Sequence, residues 1–533
     1  MTTAAAANAT HLAPLSPNHN SVSTPVASAD PARETIRTRM LGSHALGSAM
    51  PSIHFIGIGG SGMSGLAAML AAGGCRCSGE DRTASVVLDR LAGAGIAISV
   101  HEPAELPAGV DLVVASAAVA PDHPTLVAAR KRGIESIGYA EALGRLQAGR
   151  TAVCIAGTHG KSTTTSLLGH ILLENGLDPA VIVGARCPSF ESAHVGRGED
   201  RRGLATGSAR VGGDLIPTGP LSGRPGILVA EACEYRGSFL HHRPTMALIN
   251  NVEEDHLDAF RDLEEIVETF RSFASLLPPA SAGGLLLIAH EGAHRERIAA
   301  GLECGVETFG RSTEADWRVE ERDGEVVLHH REHSPLRWRN PLPGRHTSLN
   351  VSAAAVLARS LGATPEGIVT AIESFPGLER RMQVLGRRSI RSGEALVVDD
   401  YGHHPTECST TLAALREHHR PRRLICVFQP HQHSRTRYLL DRFAESFDKA
   451  DLVLVPDIHF VRDSEDERRR VSSGDLVERL VRRGVAAKHL AEFDEILRCL
   501  EATCDDGDLV VTMGAGPVDA VALAFLAGAD RCR

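Results

Sequence analysis

The chain has 533 residues, 43% of them hydrophobic, and a formal net charge of -10 from 56 basic and 66 acidic side chains. That length exceeds what a single hydrophobic core serves and sets an expectation of about three domains. The acidic balance excludes a general nucleic-acid binder, which would carry a basic footprint.

No apolar run approaches the roughly 18 to 20 residues that cross a bilayer, so no membrane span is expected. The start of the chain lacks the charged segment and apolar block of a secretory signal. The 11 cysteines are scattered singly apart from Cys75-Arg76-Cys77, which reads as reduced thiols in a cytoplasmic protein.

Residues 1–50 are Ala, Thr, Ser, Pro and Asn with little periodicity and read as a disordered tail. From Ser52 to Arg145, short apolar runs alternate with amphipathic stretches, the βαβα pattern of a parallel sheet; this sets a first domain at 51–146. Its first turn, Gly57-Ile-Gly59-Gly60-Ser61-Gly62-Met63-Ser64-Gly65, fits G-x-G-x-x-G directly after a strand, and the acidic pair Glu80-Asp81 follows about 20 residues on. The spacing predicts a nucleotide diphosphate on a helix N-terminus. The competing reading is that the glycines serve only close strand–helix packing.

A second domain is expected over 147–377. The apolar run Ala152–Ala156 leads into Gly157-Thr158-His159-Gly160-Lys161-Ser162-Thr163, and Leu167, Leu168, Ile171 and Leu172 then recur at helical spacing. Strand, glycine turn, Lys-Ser/Thr and helix is the layout that cradles a nucleotide's phosphates. Lys161 is placed as a point charge on the terminal phosphates, and Ser162 for Mg²⁺. The strict pattern wants one more Gly where Ile155 stands, so this is a shorter variant. The whole chain holds four lysines, Lys131, Lys161, Lys449 and Lys488, which makes a lysine inside this turn less incidental.

Arg186 to Pro225, rich in Gly, Arg and Ser, reads as a flexible surface insertion. Two buried strands follow. One ends in Glu231-Ala-Cys-Glu234, the other in Asn251-Val-Glu253-Glu254-Asp255-His256-Leu-Asp258. Open α/β sheets bind ligands at the carboxyl ends of their strands, so Glu231 and His256 are candidates for a metal–phosphate site, with Glu231 the more ordinary Mg²⁺ donor. Glu253 and Glu254 read as solvated surface carboxylates. Asn350 opens a helix, where it suits either an adenine edge or a turn.

A third domain, 378–533, shows four further β-type runs with helical stretches between them, again a doubly wound pattern. Two strand exits carry unusual chemistry: Asp399-Asp-Tyr401-Gly-His403-His404-Pro-Thr-Glu407 and Gln429-Pro-His431-Gln-His433-Ser-Arg435-Thr-Arg437. The adjacency of His403 and His404, with no Cys nearby, argues against zinc. Arg435 suits a carboxylate or phosphate through its bidentate fork.

Taken in order, these motifs resemble the Mur ligase family over about residues 52 to 520, together with Pro343-Gly-Arg-His346-x-x-x-Asn350, Arg380-Arg381-x-Gln383 and Met513-Gly-Ala-Gly516. The resemblance implies an α/β protein of three domains: an N-terminal Rossmann-like domain, a central P-loop ATPase-type domain on a mixed or parallel sheet, and a C-terminal Rossmann-like domain. It implies UDP-N-acetylmuramate bound through Gly57, Gly59, Gly60, Ser61, Gly62, Met63, Ser64 and Asp81. ATP would be held by Gly157, Thr158, His159, Gly160, Lys161, Ser162, Thr163, Asn350 and Arg381. Mg²⁺ would sit on Ser162, Glu231 and His256, and L-alanine among Tyr401, His403, His431 and Arg435. Lys161, His256 and Arg381 are the implied catalytic residues. The expected assembly is a monomer or a dimer.

The chain departs from the family's pattern at several points. Thr347 stands where Asn is usual, Cys233-Glu-Tyr-Arg236 where Asp-Glu-Ser-Asp is expected, and Gln432 where Arg tends to follow His431. Relatives that add later peptide residues often use a carbamylated lysine in the central domain; no Lys lies between Lys161 and Lys449, as in the alanine-adding branch. Three rival readings remain to be separated: a ligase adding a recycled peptide to the same sugar, an NAD-dependent dehydrogenase built on Gly57–Gly62 and Glu80-Asp81, and an inactive homologue acting as a binding scaffold.

Overall fold

A computed structural model describes residues 36, 38–41, 50–101, 105–192, 207–256, 259–461 and 463–528. The first sheet is formed by β1 (Ser52–Ile56), β2 (Arg76–Asp81), β3 (Ala97–Val100), β4 (Leu112–Ala115) and β5 (Glu135–Gly138), all parallel, in the order β3-β2-β1-β4-β5. The glycine turn after β1 opens helix α1 (Ser61–Ala72).

The second sheet has ten strands: β6 (Thr151–Ala156), β7 (Ala180–Ile182), β8 (Ala209–Arg210), β9 (Ile227–Glu231), β10 (Met246–Ile249), β11 (Leu285–Ala289), β12 (Gly305–Gly310), β13 (Trp317–Arg322), β14 (Glu325–His330) and β15 (Leu336–Arg339). Their order is β15-β14-β13-β12-β11-β10-β6-β9-β7-β8. The central strands β9-β6-β10-β11 are parallel, and antiparallel pairs close both ends. Strands covered on both faces need near-continuous apolar sequence, and Ala152–Ala156 of β6 is fully buried. Helix α2 (Lys161–Glu174) follows β6, and helix α3 (Arg345–Ser360) packs along it. β6 lies between β9 and β10, so the chain leaves it on one side and returns on the other. That switch point is where an open α/β sheet presents a ligand crevice.

The third sheet runs β16-β17-β21-β18-β19-β20, from β16 (Gln383–Ile390), β17 (Gly393–Asp400), β18 (Leu424–Phe428), β19 (Leu452–Val455), β20 (Ala487–His489) and β21 (Leu509–Met513). Only the β16–β17 pair is antiparallel in it. Helix α4 (Pro405–His419) starts just beyond the end of β17, capped by His404 with Glu407 reaching back to complete a capping box.

The first two domains share one core. Met63, Leu66 and Leu70 of α1 cluster with Ala180, Ile182, Ala209, Leu228 and Ala230 of the second sheet. At Gly65 an added Cβ would come within 2.6 Å of the Ala209 Cβ, and at Gly62 within 2.5 Å of the Tyr139 ring. These two glycines therefore serve close packing.

Two sequence expectations are corrected. The disordered tail does not extend to residue 50: residues 36 and 38–41 are helical, and Ile36 and Met40 are buried against α1 and the second domain. Arg145 donates to the Met40 carbonyl at 2.7 Å, and Arg39 to that of Gly149 at 3.2 Å. Nor is the stretch 186–225 a surface insertion throughout. Ala209–Arg210 adds β8 to the sheet, Leu215 pairs with Pro225, and Ala209, Val211 and Ile216 are buried. Its few apolar residues were enough, because an edge strand needs backbone partners more than side chains. Residues 1–35 and 193–206, and Leu257-Asp258, lie outside the described residues.

Candidate active site

A cavity of about 640 Å³ opens between the second and third domains at the carboxyl ends of β6, β9, β10 and β17. Its size lies in the range that takes a nucleotide-sized ligand. It is lined from below by the phosphate-loop candidate, Thr158 to Thr163, with Glu231, His256 and Asn350, and from above by Arg381, Tyr401 and His403. Twelve of the expected site residues thus converge on one space. His431 and Arg435 do not line it, and the candidates of the first domain, Gly57 to Ser64 and Asp81, stand apart from it.

Gly160 caps α2 with φ of 83°, a left-handed backbone that glycine adopts without strain. The turn is braced from below: Asn251 accepts from the His159 N–H at 2.7 Å and donates to the His159 carbonyl at 3.2 Å, and Asn250 donates to Thr164 Oγ1 at 3.3 Å. Lys161 curls back on its own loop, donating to the carbonyls of Gly157 and Thr158 and to Glu234, 3.1 Å from Oε2. Burial alone would depress its ammonium, but Glu234, backed by Cys233 and Glu231, outweighs that and holds it above the usual lysine range. An incoming phosphate would meet a lysine that is charged and held by replaceable partners.

Glu231 ends β9 and accepts from the Gly184 N–H at 2.8 Å. His256, with φ of 55°, points Nε2 at Glu234, 3.7 Å away. Asn350 sits on α3 with its amide oxygen against Gly160, so close that a Cβ there would lie 2.5 Å from it.

Across the cavity the linker 380–382 carries Arg381 between two non-glycine residues of positive φ, Arg380 and Met382. Arg380 anchors it through Asp399 at 3.1 Å and the Gly514 and Gly516 carbonyls at 2.8 and 3.0 Å. The Arg381 guanidinium lies 5.2 Å from the Tyr401 ring centroid. His403 Nδ1 is 3.1 Å from the Tyr401 carbonyl, which only a ring N–H satisfies, so Nε2 keeps the lone pair. Burial pushes the His403 imidazole down to about 4 and leaves it neutral near pH 7.

The two domains are joined by polar contacts that sequence reasoning missed. His159 of the phosphate loop meets Glu407 at 3.2 Å and Glu253 at 3.7 Å, and Thr406 donates to Glu253 at 2.7 Å. Burial would lower the His159 imidazole, but the Glu253 and Glu407 carboxylates prevail and raise it to about 9. Glu253 falls to about 2, chiefly through its hydrogen bond with His159. It is therefore part of the site, contrary to the surface reading, whereas Glu254 is half-buried and faces Arg442.

Arg435 binds Asp255 through Nε at 3.2 Å and Nη2 at 3.1 Å, both side chains over nine-tenths buried. The Asp255 carboxyl, which burial would raise, is held well below the usual range chiefly by the Arg435 guanidinium. Position at a strand exit was the signal that could have found Asn250, Asn251, Asp255 and Glu407.

Among the described residues, one group of His and carboxylate ligand atoms is compact enough for a metal: His159, Glu253 and His404. Its chemistry does not fit one. His404 Nε2 faces the Glu254 carbonyl at 3.2 Å, and Nδ1 accepts the Thr406 N–H at 3.3 Å, so neither ring nitrogen has a free lone pair.

The Mur ligase family catalytic domain matches residues 52–151, the Mur ligase middle domain 155–358, and the Mur ligase glutamate ligase domain 380–516. The chain belongs to the Mur ligase family. Among its relatives is a UDP-N-acetylmuramate--L-alanine ligase of Caldanaerobacter subterraneus subsp. tengcongensis, 36% identical over 481 residues, 89% of this chain and 97% of that one. Another of the same description, from Halorhodospira halophila, is 37% identical and covers 92% of this chain and 96% of its own. The fold is similar to that of the UDP-N-acetylmuramate-alanine ligase of Thermotoga maritima, with a TM-score of 0.69 at 22% identity over 90% of this chain and 100% of that one. It is also similar to a murein peptide ligase of Psychrobacter arcticus, with a TM-score of 0.64 at 24% identity over 90% and 98%.

As a Mur ligase the chain is not the dehydrogenase that Gly57–Gly62 and Glu80-Asp81 alone would allow. Glu80 is turned inward, accepting from Thr125 Oγ1 at 2.6 Å, and Asp81 accepts the Gly59 N–H of the glycine turn at 2.8 Å. Thr347, where Mur ligases usually place Asn, is buried with its hydroxyl on the Leu342, Pro343 and Gly344 carbonyls, so it closes the turn before α3.

Proposed function

We propose that this Mur ligase joins L-alanine to the lactyl carboxylate of UDP-N-acetylmuramate at the expense of ATP, releasing ADP and phosphate, as a cytoplasmic step of peptidoglycan precursor synthesis. The observation that carries the proposal is the single cavity in which the Lys161 loop of one domain faces Arg381, Tyr401 and His403 of the next.

A carboxylate resists amine attack. It is first phosphorylated: a lactyl oxygen attacks the γ-phosphorus, the bond to the β-phosphate oxygen breaks, and ADP leaves. The alanine ammonium gives up one proton to solvent to become the nucleophilic amine, which attacks the acyl carbon; phosphate departs, and a second proton is lost as the amide forms. Lys161 leaves Glu234 and the loop carbonyls to neutralise charge on the moving phosphoryl group, and Arg381 completes the charge from the other wall. Neutral His403, with its Nε2 lone pair, accepts a hydrogen bond from the alanine ammonium. Arg435 keeps Asp255 through Nε and Nη2 and offers its remaining Nη1, beside His431, to the alanine carboxylate, with Tyr401 close by. Gly57, Gly59, Gly60, Ser61, Met63, Ser64 and Asp81 serve the UDP-sugar; Gly62 lies under Tyr139 and contributes space.

The donor set suits Mg²⁺. Ser162 and Glu231 are oxygen donors lining the cavity beside Lys161, whose own charge Glu234 already balances from behind. Ser162 and Glu231 would hold the ion and His256 would flank it; bound there, it would neutralise phosphate charge.

A second reading has its own observation. The Psychrobacter arcticus murein peptide ligase has a similar fold, with a TM-score of 0.64 over 90% of this chain. An ADP-release assay with UDP-N-acetylmuramate, ATP and, in turn, L-alanine, glycine, L-serine and a muramyl-type tripeptide separates the two. Alanine should be preferred by kcat/KM, and release with the tripeptide alone would replace the first reading by the second. An ATP-analogue titration that shows no binding would point to the inactive scaffold.

A further inference from the structure

Glu407 caps a helix and meets His159 across the domain boundary, and its carboxylate lies where three functional groups meet. Oε2 accepts the backbone N–H groups of His403 and His404 at 2.9 and 3.2 Å and lies 3.5 Å from His403 Nδ1. Oε1 turns across the domain boundary, 3.2 Å from His159 Nδ1 on the phosphate loop and 4.0 Å from Arg381 Nη1. A capping box needs only one of the two oxygens; the second goes to another domain. The side chain is only 15% exposed, so these contacts act with little screening by water. Burial would raise the carboxyl, but the hydrogen bond and charge of His159 and the nearby Arg381 guanidinium hold it well below the usual carboxylate range.

The phosphate loop does not need Glu407 to keep its shape, because the His159 backbone is already clamped on both sides by Asn251. The contact of His159 with Glu407 is therefore available to register the third domain against the loop. We propose that Glu407 is a positioning residue that ties the phosphate loop to the amino-acid side of the cavity, holding His159, Arg381 and the His403 turn in mutual register. The role rests on the ligase reading above.

Glu407→Gln isolates the charge, since Gln also completes a capping box and the helix start survives. The full-length protein and three variants, Glu407→Gln, His159→Asn and the double, are compared by phosphate release and by titration with a non-hydrolysable ATP analogue. Couplings between sites in one protein are commonly five- to 150-fold, so Glu407→Gln should raise the L-alanine KM about tenfold while the ATP-analogue Kd moves less than about twofold. His159→Asn should raise the same KM, and the double variant should be no worse than Glu407→Gln alone, because both changes remove one contact. An unchanged alanine KM in Glu407→Gln, a parallel rise in the ATP-analogue Kd, or a double variant in which the single effects multiply overturns the proposal. Wild-type protein that releases no phosphate with alanine overturns the ligase reading instead, and the role of Glu407 with it.

Discussion

Lys161 stands between two states. Without a phosphate it is held by Glu234 and two loop carbonyls; with one it must turn outward. Lys161→Ala should lower kcat by at least about a hundredfold, the scale for removing one preorganised charge-stabilising donor, while the protein stays folded with a lowered melting temperature because buried Glu234 loses its partner. Steady-state phosphate release and a thermal melt check both halves.

His159 makes a second prediction at this scale, with a definite sign. Its imidazole is raised from an ordinary value near 6.5 to about 9. Its contribution to stability is therefore complete below about pH 6.5 and fades as the pH rises through about 9. Thermal melts from pH 6 to 10 should show wild type losing its margin over His159→Asn across that window. A margin that is constant, or that grows with pH, would show that the imidazole is neutral.

At the scale of elements, Gly65 links sequence to packing most sharply. It was legible as the last glycine of a nucleotide turn, and the structure shows it letting α1 close on β8. Gly65→Val should cost about 1 to 3 kcal/mol by overpacking, measured by chemical denaturation, with the ATP-analogue Kd unchanged because the cavity lies elsewhere.

The central strands were legible because a parallel strand covered on both faces must be an apolar run: Ile227–Ala230 and Leu509–Met513 announce themselves. Helix α2 was legible by its period, and the catalytic-side loops by their positions at strand exits. The edge strand β8 was not, since two residues in a Gly- and Arg-rich stretch carry no period. Residues 36 and 38–41 were hidden likewise: Ile36 and Met40 are two apolar side chains in a polar tail, and their partners lie on other domains. The polar joints His159–Glu407 and Asp255–Arg435 span 248 and 180 residues, a distance over which one sequence has no pairing signal.

On the scale of the whole molecule, charged pairs join the second and third domains, Asp255–Arg435 and His159–Glu407 among them. The Asp255–Arg435 pair is buried on both sides, and removing one partner leaves the other charge stranded, at a typical cost of about 3 to 5 kcal/mol. Asp255→Ala should therefore loosen the docking of the third domain. Small-angle scattering should give a larger radius of gyration, and the L-alanine KM should rise more than that of ATP, whose site is built mainly on the second domain. The same value for both proteins would show that the docking does not depend on this pair.

That docking also explains why three domains are required: an acyl phosphate must be shielded from water until the amine arrives, and alignment of three substrates needs walls from more than one domain. All of this turns on where the triphosphate lies. The most direct measurement is a crystal structure with a non-hydrolysable ATP analogue and Mg²⁺. The γ-phosphate should lie within hydrogen-bond reach of Lys161 Nζ, with that lysine released from Gly157 and Thr158 and with Arg381 facing the same phosphate. A triphosphate bound anywhere other than the Gly157–Thr163 loop, with Lys161 still folded onto its own carbonyls, would contradict it.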